Sequence, residues 1–313
     1  MEKIAKDFIN LLENKRRWHL APYIHCSKPA LYEDLINSEK YYLSKIEHIL
    51  LTQRIKHLLS NSGYFDQILE IGPGSRNAVN LKTIPFIKNV KSISRYIALD
   101  INKFLADDAC VVVKEHFSEI ETLPIKYDFS CSNKITQKFL RNDSYTSCLC
   151  FFGSTFSNLN DTEIMILLKN FRSLLAKNNY LFLSADFNAN QDTLKRCYSN
   201  NLVQKVIFNV MYFLKEKFAL KGFDPEAFKF HYRWNEKESR VELSLESKIR
   251  QRVLIEGKEY YFNKGQNYHL VTSRKFKKEH FFQLLKQSGL KILNSITTDK
   301  GDPEFSMVLA QKK

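Results

Sequence analysis

Leu69-Glu70-Ile71-Gly72-Pro73-Gly74-Ser75 is the stretch that decides the fold. The apolar run Ile68 to Ile71 reads as a short buried strand, and it stops at a Gly-x-Gly turn. Glycines directly after a strand let the backbone approach a ligand where a side chain would clash. A dinucleotide fold prefers a further glycine where this chain has Asn77, which argues against a pyrophosphate. An acidic residue just ahead of the glycines, Glu70, suits a ligand with a cationic amino-acid end. An ordinary tight turn has the same residues, so the reading depends on what lies around it.

Working outward, the same grammar recurs. Tyr96 to Leu99 is a second apolar run and ends in Asp100. A carboxylate at the carboxyl end of a parallel strand can accept both hydroxyls of a ribose; Asp is also a common helix N-cap. Pro124 to Tyr127 is a weaker third run, ending in Asp128 with Phe129 beside it. A carboxylate next to an aromatic suits adenine, whose amine donates and whose ring stacks. Cys148 to Phe152 is a fourth run, ending in Gly153-Ser154-Thr155, and Tyr180 to Ser184 is a fifth, ending near Asp186. Helical stretches separate several of these runs, most clearly Asp161 to Leu175. Strands alternating with helices predict an α/β fold, a Rossmann-like parallel sheet with helices on both faces. Chance is a poor source of three suitable groups at three successive strand ends.

The segment from about 189 to 273 breaks this rhythm and reads as an α+β insertion. It holds a helical pattern through Val206, Val210, Phe213 and Leu214, then alternating stretches at Arg240 to Leu245, Val253 to Ile255 and Tyr260 to Phe262, with a hairpin at Glu256-Gly257-Lys258. A helix near Lys278 to Ser288 and strands near Ile292 to Ser295 and Phe305 to Ala310 resume the core. The last strand is expected to run antiparallel at the end of the sheet. Ahead of the first strand, residues 3–18 and 31–60 read as helices.

The chain has 313 residues, 44% hydrophobic and 13% aromatic, enough to bury a substantial core. No apolar run is long enough for a membrane span, and the first residues have no signal-peptide core, so a cytoplasmic protein is expected. Cys26, Cys110, Cys131, Cys148, Cys150 and Cys197 form no C-x-x-C pair. They read as reduced thiols, and no metal site is expected. The net charge of +14 has two readings, a nucleic-acid partner or a lysine-rich solvated surface. The lysines and arginines are dispersed, and the densest cluster, Arg274 to Lys278, is short.

The fourth turn, Phe151-Phe152-Gly153-Ser154-Thr155-Phe156-Ser157-Asn158, resembles the F-L-G-S-T-x-G-N stretch of the histidine Nα-methyltransferases of ergothioneine biosynthesis. Further phrases follow in that family's order: Tyr41-Tyr42, Glu70 to Ser75, Asp128-Phe129, Ala185-Asp186, Tyr198, Phe208-Asn209, Arg240 to Leu243, Ser273-Arg274-Lys275-Phe276 and Asp299-Lys300-Gly301. The resemblance spans roughly residues 20 to 310. It implies an S-adenosylmethionine-binding domain over 53–188 plus 274–313 and a substrate-binding domain over 1–52 plus 189–273. The cofactor residues it implies are Glu70, Gly72, Gly74, Ser75, Asp100, Asp128, Phe129, Gly153 and Thr155. Asn158 would bind the amino-acid end of a small-molecule acceptor, Tyr41 and Tyr198 would line the site and position its amine, and Ser273, with Tyr23 near the second tyrosine of the pattern, would help read the side chain. Two positions depart from the histidine-specific pattern: Val271 replaces a glutamate, and Ile24 replaces a tyrosine. The expected activity is N-methylation of a free amino acid or related amine, with no metal. The alternatives are methylation of RNA or a protein side chain, and a non-catalytic protein that binds the cofactor only.

Overall fold

The computed structural model of the chain describes residues 3–13, 28–60, 62, 64–90, 93–129, 144–153 and 155–312. The chain divides into two compact units: Met1–Tyr41 with Ala189–Lys275, and Tyr42–Asn188 with Phe276–Lys313.

The larger unit contains strands β1 (Gln67–Ile71), β2 (Arg95–Asp100), β3 (Glu121–Lys126), β4 (Ser147–Phe151) and β5 (Tyr180–Asp186). In the smaller unit are β6 (Phe228–Asn235), β7 (Arg240–Ser247), β8 (Gln251–Ile255), β9 (Lys258–Phe262) and β10 (Asn267–Arg274). The larger unit then closes with β11 (Leu290–Thr297) and β12 (Phe305–Lys312). Its seven-stranded sheet has the order β11-β12-β5-β4-β1-β2-β3. β1 to β5 are mutually parallel where they pair, while β12 runs antiparallel to both β5 and β11. This is the Rossmann-like parallel sheet that the sequence predicts; the final strand is antiparallel as expected, but it lies inside the sheet, with β11 and not β12 at the edge.

β1 and β4 are buried along their whole length, as strands covered on both faces must be. Leu69, Ile71, Leu149, Phe151, Leu181 and Leu183 pack with Leu168 and Phe171 of helix Asp161–Leu174 and with Phe281 and Leu285 of helix Lys278–Gln287. Asn160 starts the first of these helices with a reciprocal cap: its Oδ1 accepts from Glu163 N (2.9 Å), and Glu163 Oε2 accepts from Asn160 N (2.7 Å).

The smaller unit has a three-stranded sheet, β10-β7-β6, and a β8-β9 hairpin. That hairpin turns at Glu256 (φ 49°) and Gly257 (φ 78°), the paired positive φ of a tight β-turn. Its core is aromatic: the Phe262 ring stands edge-on to Phe228 and Tyr268, each at 5.0 Å.

Two sequence expectations about the N-terminal helices and the domain boundary shift. The continuous helix over 31–60 is instead Pro29–Asn37, an extended Ser38, then Tyr42–Ile49 running through a π-helical turn at Leu50–Arg54 into Ile55–Leu59. The domain boundary falls at 41/42 and not at 52/53. Helix Tyr42–Ile49 belongs to the larger unit because it is bonded there: Tyr42 Oη donates to Asp186 (2.6 Å) and Glu47 accepts from Ser184 (2.5 Å), both on β5.

Candidate active site

In this strand order the succession of strands switches from one side of β1 to the other between β4 and β1, so their carboxyl ends flank the crevice where α/β sheets bind ligands. Of the sequence-predicted residues, those proposed for the cofactor lie on the turns that follow β1 to β4. Ile71 is in register with Leu99, so Gly72 and Asp100 leave the sheet side by side, and Gly72 N–H donates to Leu99 O at 2.8 Å. Gly72 (φ 64°) and Gly74 (φ 77°) both occupy the left-handed region. A Cβ on Gly72 would meet nothing within 4 Å, so open space lies in front of that backbone. Ser75 caps the helix Arg76–Leu81, its Oγ accepting from Ala78 N at 3.3 Å.

Asp100 is 8% exposed, and burial pushes its carboxyl up to about 6. Its Oδ1 accepts from Asn102 N at 2.8 Å; among the described residues Oδ2 accepts nothing. β3 stops at Lys126, short of the expected end, although Tyr127 N–H still donates to Asp100 O (2.8 Å). Asp128 and Phe129 therefore lie just past the strand. The Phe129 ring packs edge-on to Phe151 at 5.7 Å, which commits part of it to the core.

Glu70 sits beneath this edge. It is 1% exposed, and its oxygens accept from Thr83 Oγ1 (2.8 and 2.9 Å) and Tyr96 Oη (2.6 Å). Burial pushes its carboxyl up to about 7, against the opposing pull of these hydrogen bonds and of Lys82. Its carboxylate is engaged within its own unit, by Thr83 and Tyr96.

After β4, Gly153 (φ 81°) leads to Thr155 and Asn158, the two ends of a 3-10 turn. Gly153 N–H donates to Glu47 Oε1 at 2.7 Å. Glu47 escaped the sequence reading, because a single glutamate in a helix reads as solvent-facing. Asp186 ends β5 with its oxygens bonded to Tyr42 Oη and Asn188 N.

In the smaller unit, Tyr198 ends helix Gln191–Tyr198, and its Oη lies 2.9 Å from Ser273 Oγ of β10. Lys275, 2% exposed, donates to Tyr198 Oη (3.0 Å) and to Ser273 Oγ (3.2 Å), with its Nζ 4.7 Å from the Tyr198 ring centre. The sequence singled out Tyr198 and Ser273; Lys275 is the charge that joins them. Tyr41 is a buried residue of the same unit, its N–H bonded to Ser38 O. Tyr23 and Ile24 lie outside the described residues.

The chain matches the model of the histidine-specific, S-adenosylmethionine-dependent methyltransferases over residues 27–312. It belongs to that family. Among its relatives, the histidine N-alpha-methyltransferase of Mycolicibacterium smegmatis is 24% identical over 285 residues, covering 90% of this chain and 85% of that one. The N-methyltransferase fsqC of Aspergillus fumigatus is 22% identical over 269 residues, 83% of this chain and 70% of that protein. Among solved structures, an S-adenosylmethionine-dependent methyltransferase from Clostridium acetobutylicum superposes with a TM-score of 0.48 at 13% identity, covering 90% of this chain and 96% of that one.

This methyltransferase therefore uses S-adenosylmethionine, and its sheet edge fits that group. Asp100 offers an acceptor oxygen of the kind a ribose needs, and Gly72 leaves space that a side chain would fill. Among the described residues, no helix is long and apolar enough to cross a membrane.

Proposed function

We propose that this methyltransferase acts in the cytoplasm on the amine nitrogen of a free amino acid, histidine-like in size, or of a related small amine. The observation that carries this reading is the buried Tyr198–Ser273–Lys275 cluster. Two of its members stand where the family resemblance expects acceptor-binding residues. A macromolecular acceptor gives no reason to bury such a cluster. The names of the Mycolicibacterium and Aspergillus relatives, both N-methyltransferases, support the same class.

S-adenosylmethionine supplies a methyl group on a positively charged sulfur. Asp100 is proposed to take the ribose hydroxyls, Asp128 and Phe129 the adenine, and the Gly72–Ser75 turn with Gly153 and Thr155 the remainder. The amine nitrogen forms its new bond to the methyl carbon with its lone pair, the electron pair of the breaking carbon–sulfur bond stays on sulfur, and the amine sheds one proton. Alignment supplies most of the acceleration for such a displacement. Asn158 offers an amide for the amino-acid end, and Tyr41 and Tyr198 offer hydroxyls for the amine. Hydroxyls leave the amine pKa low, where a carboxylate would raise it. Lys275 adds to this: a cation 3.0 Å from Tyr198 Oη disfavours the protonated form of any amine brought to that hydroxyl.

Val271 bears on the acceptor's side chain. An apolar group offers no partner to an imidazole N–H, and an unpaired buried donor costs about 1–3 kcal/mol. Histidine is thus expected to bind less well than an amino acid whose side chain makes no such demand. The test is calorimetric titration with S-adenosylhomocysteine, then with amino acids and biogenic amines on the loaded protein. Cofactor binding with a small-amine hit supports the reading. Cofactor binding without one contradicts it and favours RNA or protein acceptors.

A further inference from the structure

Glu47 is 1% exposed, on helix Tyr42–Ile49. Its Oε1 accepts two hydrogen bonds, from Gly153 N at 2.7 Å and from Ser184 Oγ at 2.5 Å. Its Oε2 faces Lys82 Nζ at 3.7 Å. That same Nζ lies 3.2 Å from where a Cβ on Gly153 would stand, so the lysine covers Gly153 on its other side.

Taking a carboxylate out of water is costly unless hydrogen bonds and an opposite charge replace the solvent, and a well-packed apolar side chain often does as well for stability alone. The choice of partners is what gives this charge a purpose. Gly153 is the first residue of the left-handed turn after β4, and its N–H fixes the plane of the peptide entering that turn. Lys82 ends the segment that begins with the Gly72–Ser75 turn and helix Arg76–Leu81. Ser184 lies on β5, the neighbour of β4. One carboxylate thus ties the turn after β4 to β5 and reaches the far end of the helix that follows the Gly72–Ser75 turn. Glu70 and Thr83 anchor the same segment from the β1 side.

We infer that Glu47 is a positioning residue for cofactor binding: through Oε1 it ties the Gly153 peptide to Ser184 of β5, and so fixes the turn after β4 that receives S-adenosylmethionine, the charge toward Lys82 being secondary. The inference rests on reading Gly153 and Thr155 as cofactor-facing. It concerns binding, so it can be read without turnover.

The experiment is calorimetric titration of S-adenosylhomocysteine into wild type, Glu47→Ala, Glu47→Gln and Ser184→Ala, at a temperature well below each protein's unfolding. Glutamine keeps an oxygen for Gly153 and Ser184 and removes only the charge toward Lys82. Glu47→Ala is expected to raise Kd by about tenfold or more, and Glu47→Gln by no more than about threefold, a rescue that a generic packing role does not produce. A folded Glu47→Ala protein with wild-type affinity overturns the inference. So does a loss in Glu47→Gln as large as that in Glu47→Ala. If Glu47→Ala does not fold, Ser184→Ala decides: a rise of about threefold supports the tether, and unchanged affinity overturns it. Wild type that fails to bind S-adenosylhomocysteine overturns the cofactor reading itself, a different result from the failure of Glu47 alone.

Discussion

Asp100 is costly to the fold, and its proposed role at the site gives a reason to bear that cost. Burial lifts its carboxyl from the ordinary 3.8 to about 6. Between those values the folded chain holds a proton that the unfolded chain has released, so stability falls as pH rises through that window. Above it the full cost, on the order of 2–3 kcal/mol, is present. Asp100→Asn is therefore expected to leave the cofactor-free protein as stable as wild type or more so at neutral pH, with any advantage gone near pH 4. It is also expected to weaken S-adenosylhomocysteine binding by about tenfold or more, since a charge-assisted hydrogen bond is lost. Thermal melts across pH, paired with titrations, check both halves; a destabilised variant with intact affinity contradicts the assignment. For wild type, cofactor affinity should rise as pH passes about 6 and Asp100 ionises. Tyr198→Phe tests the other unit. It removes the hydroxyl between Ser273 and Lys275, and is expected to lower acceptor kcat/KM by about tenfold or more with cofactor affinity unchanged. Asp100, Tyr198 and Ser273 were legible in the sequence because each ends a strand or falls in a recognisable phrase. Glu47 and Lys82 were not, since their partners are distant in the chain and neither has a local signature.

For the elements, the strand–turn–helix unit at Gln67–Leu81 is the informative one. Gly72 and Gly74 differ in what a side chain would meet: open space at the first, Ala78 Cβ at 3.3 Å at the second. Gly72→Ala is expected to cost about 1 kcal/mol in stability for its positive φ. Its loss of S-adenosylhomocysteine affinity is expected to be much larger, because the new methyl enters the ligand's space. A variant whose melting point drops but whose titration is unchanged would show that the turn serves the fold only. The sheet strands were readable from the sequence because each is a short apolar run stopped by Gly or Asp. β6 and β10 were not named there. β6 mixes Lys229, His231 and Arg233 among its aromatics without a clean buried face, and β10 carries a bulge between His269 and Val271 that breaks its alternation. The helix from 31 to 60 was over-extended because its apolar spacing persists across Ser38, where only the backbone reveals the break. The boundary at 41/42 was missed for a related reason: Tyr42 and Glu47 bind β5 through polar atoms, which hydrophobic periodicity does not register.

At the scale of the whole molecule, the family fixes methyl transfer and the cofactor, and Tyr198 and Ser273, proposed to bind the acceptor, lie in the smaller unit. The chain's +14 charge keeps RNA and protein acceptors in view as the alternatives to be tested. The decisive measurement incubates the protein with S-adenosylmethionine carrying a deuterated methyl group and offers free amino acids, biogenic amines, total RNA and a protein extract in parallel. Mass spectrometry then locates the label. The account predicts label on the amine nitrogen of a free amino acid or small amine, with histidine a poorer acceptor than the best of the panel. Label confined to RNA or protein, with none on any small amine, would contradict it.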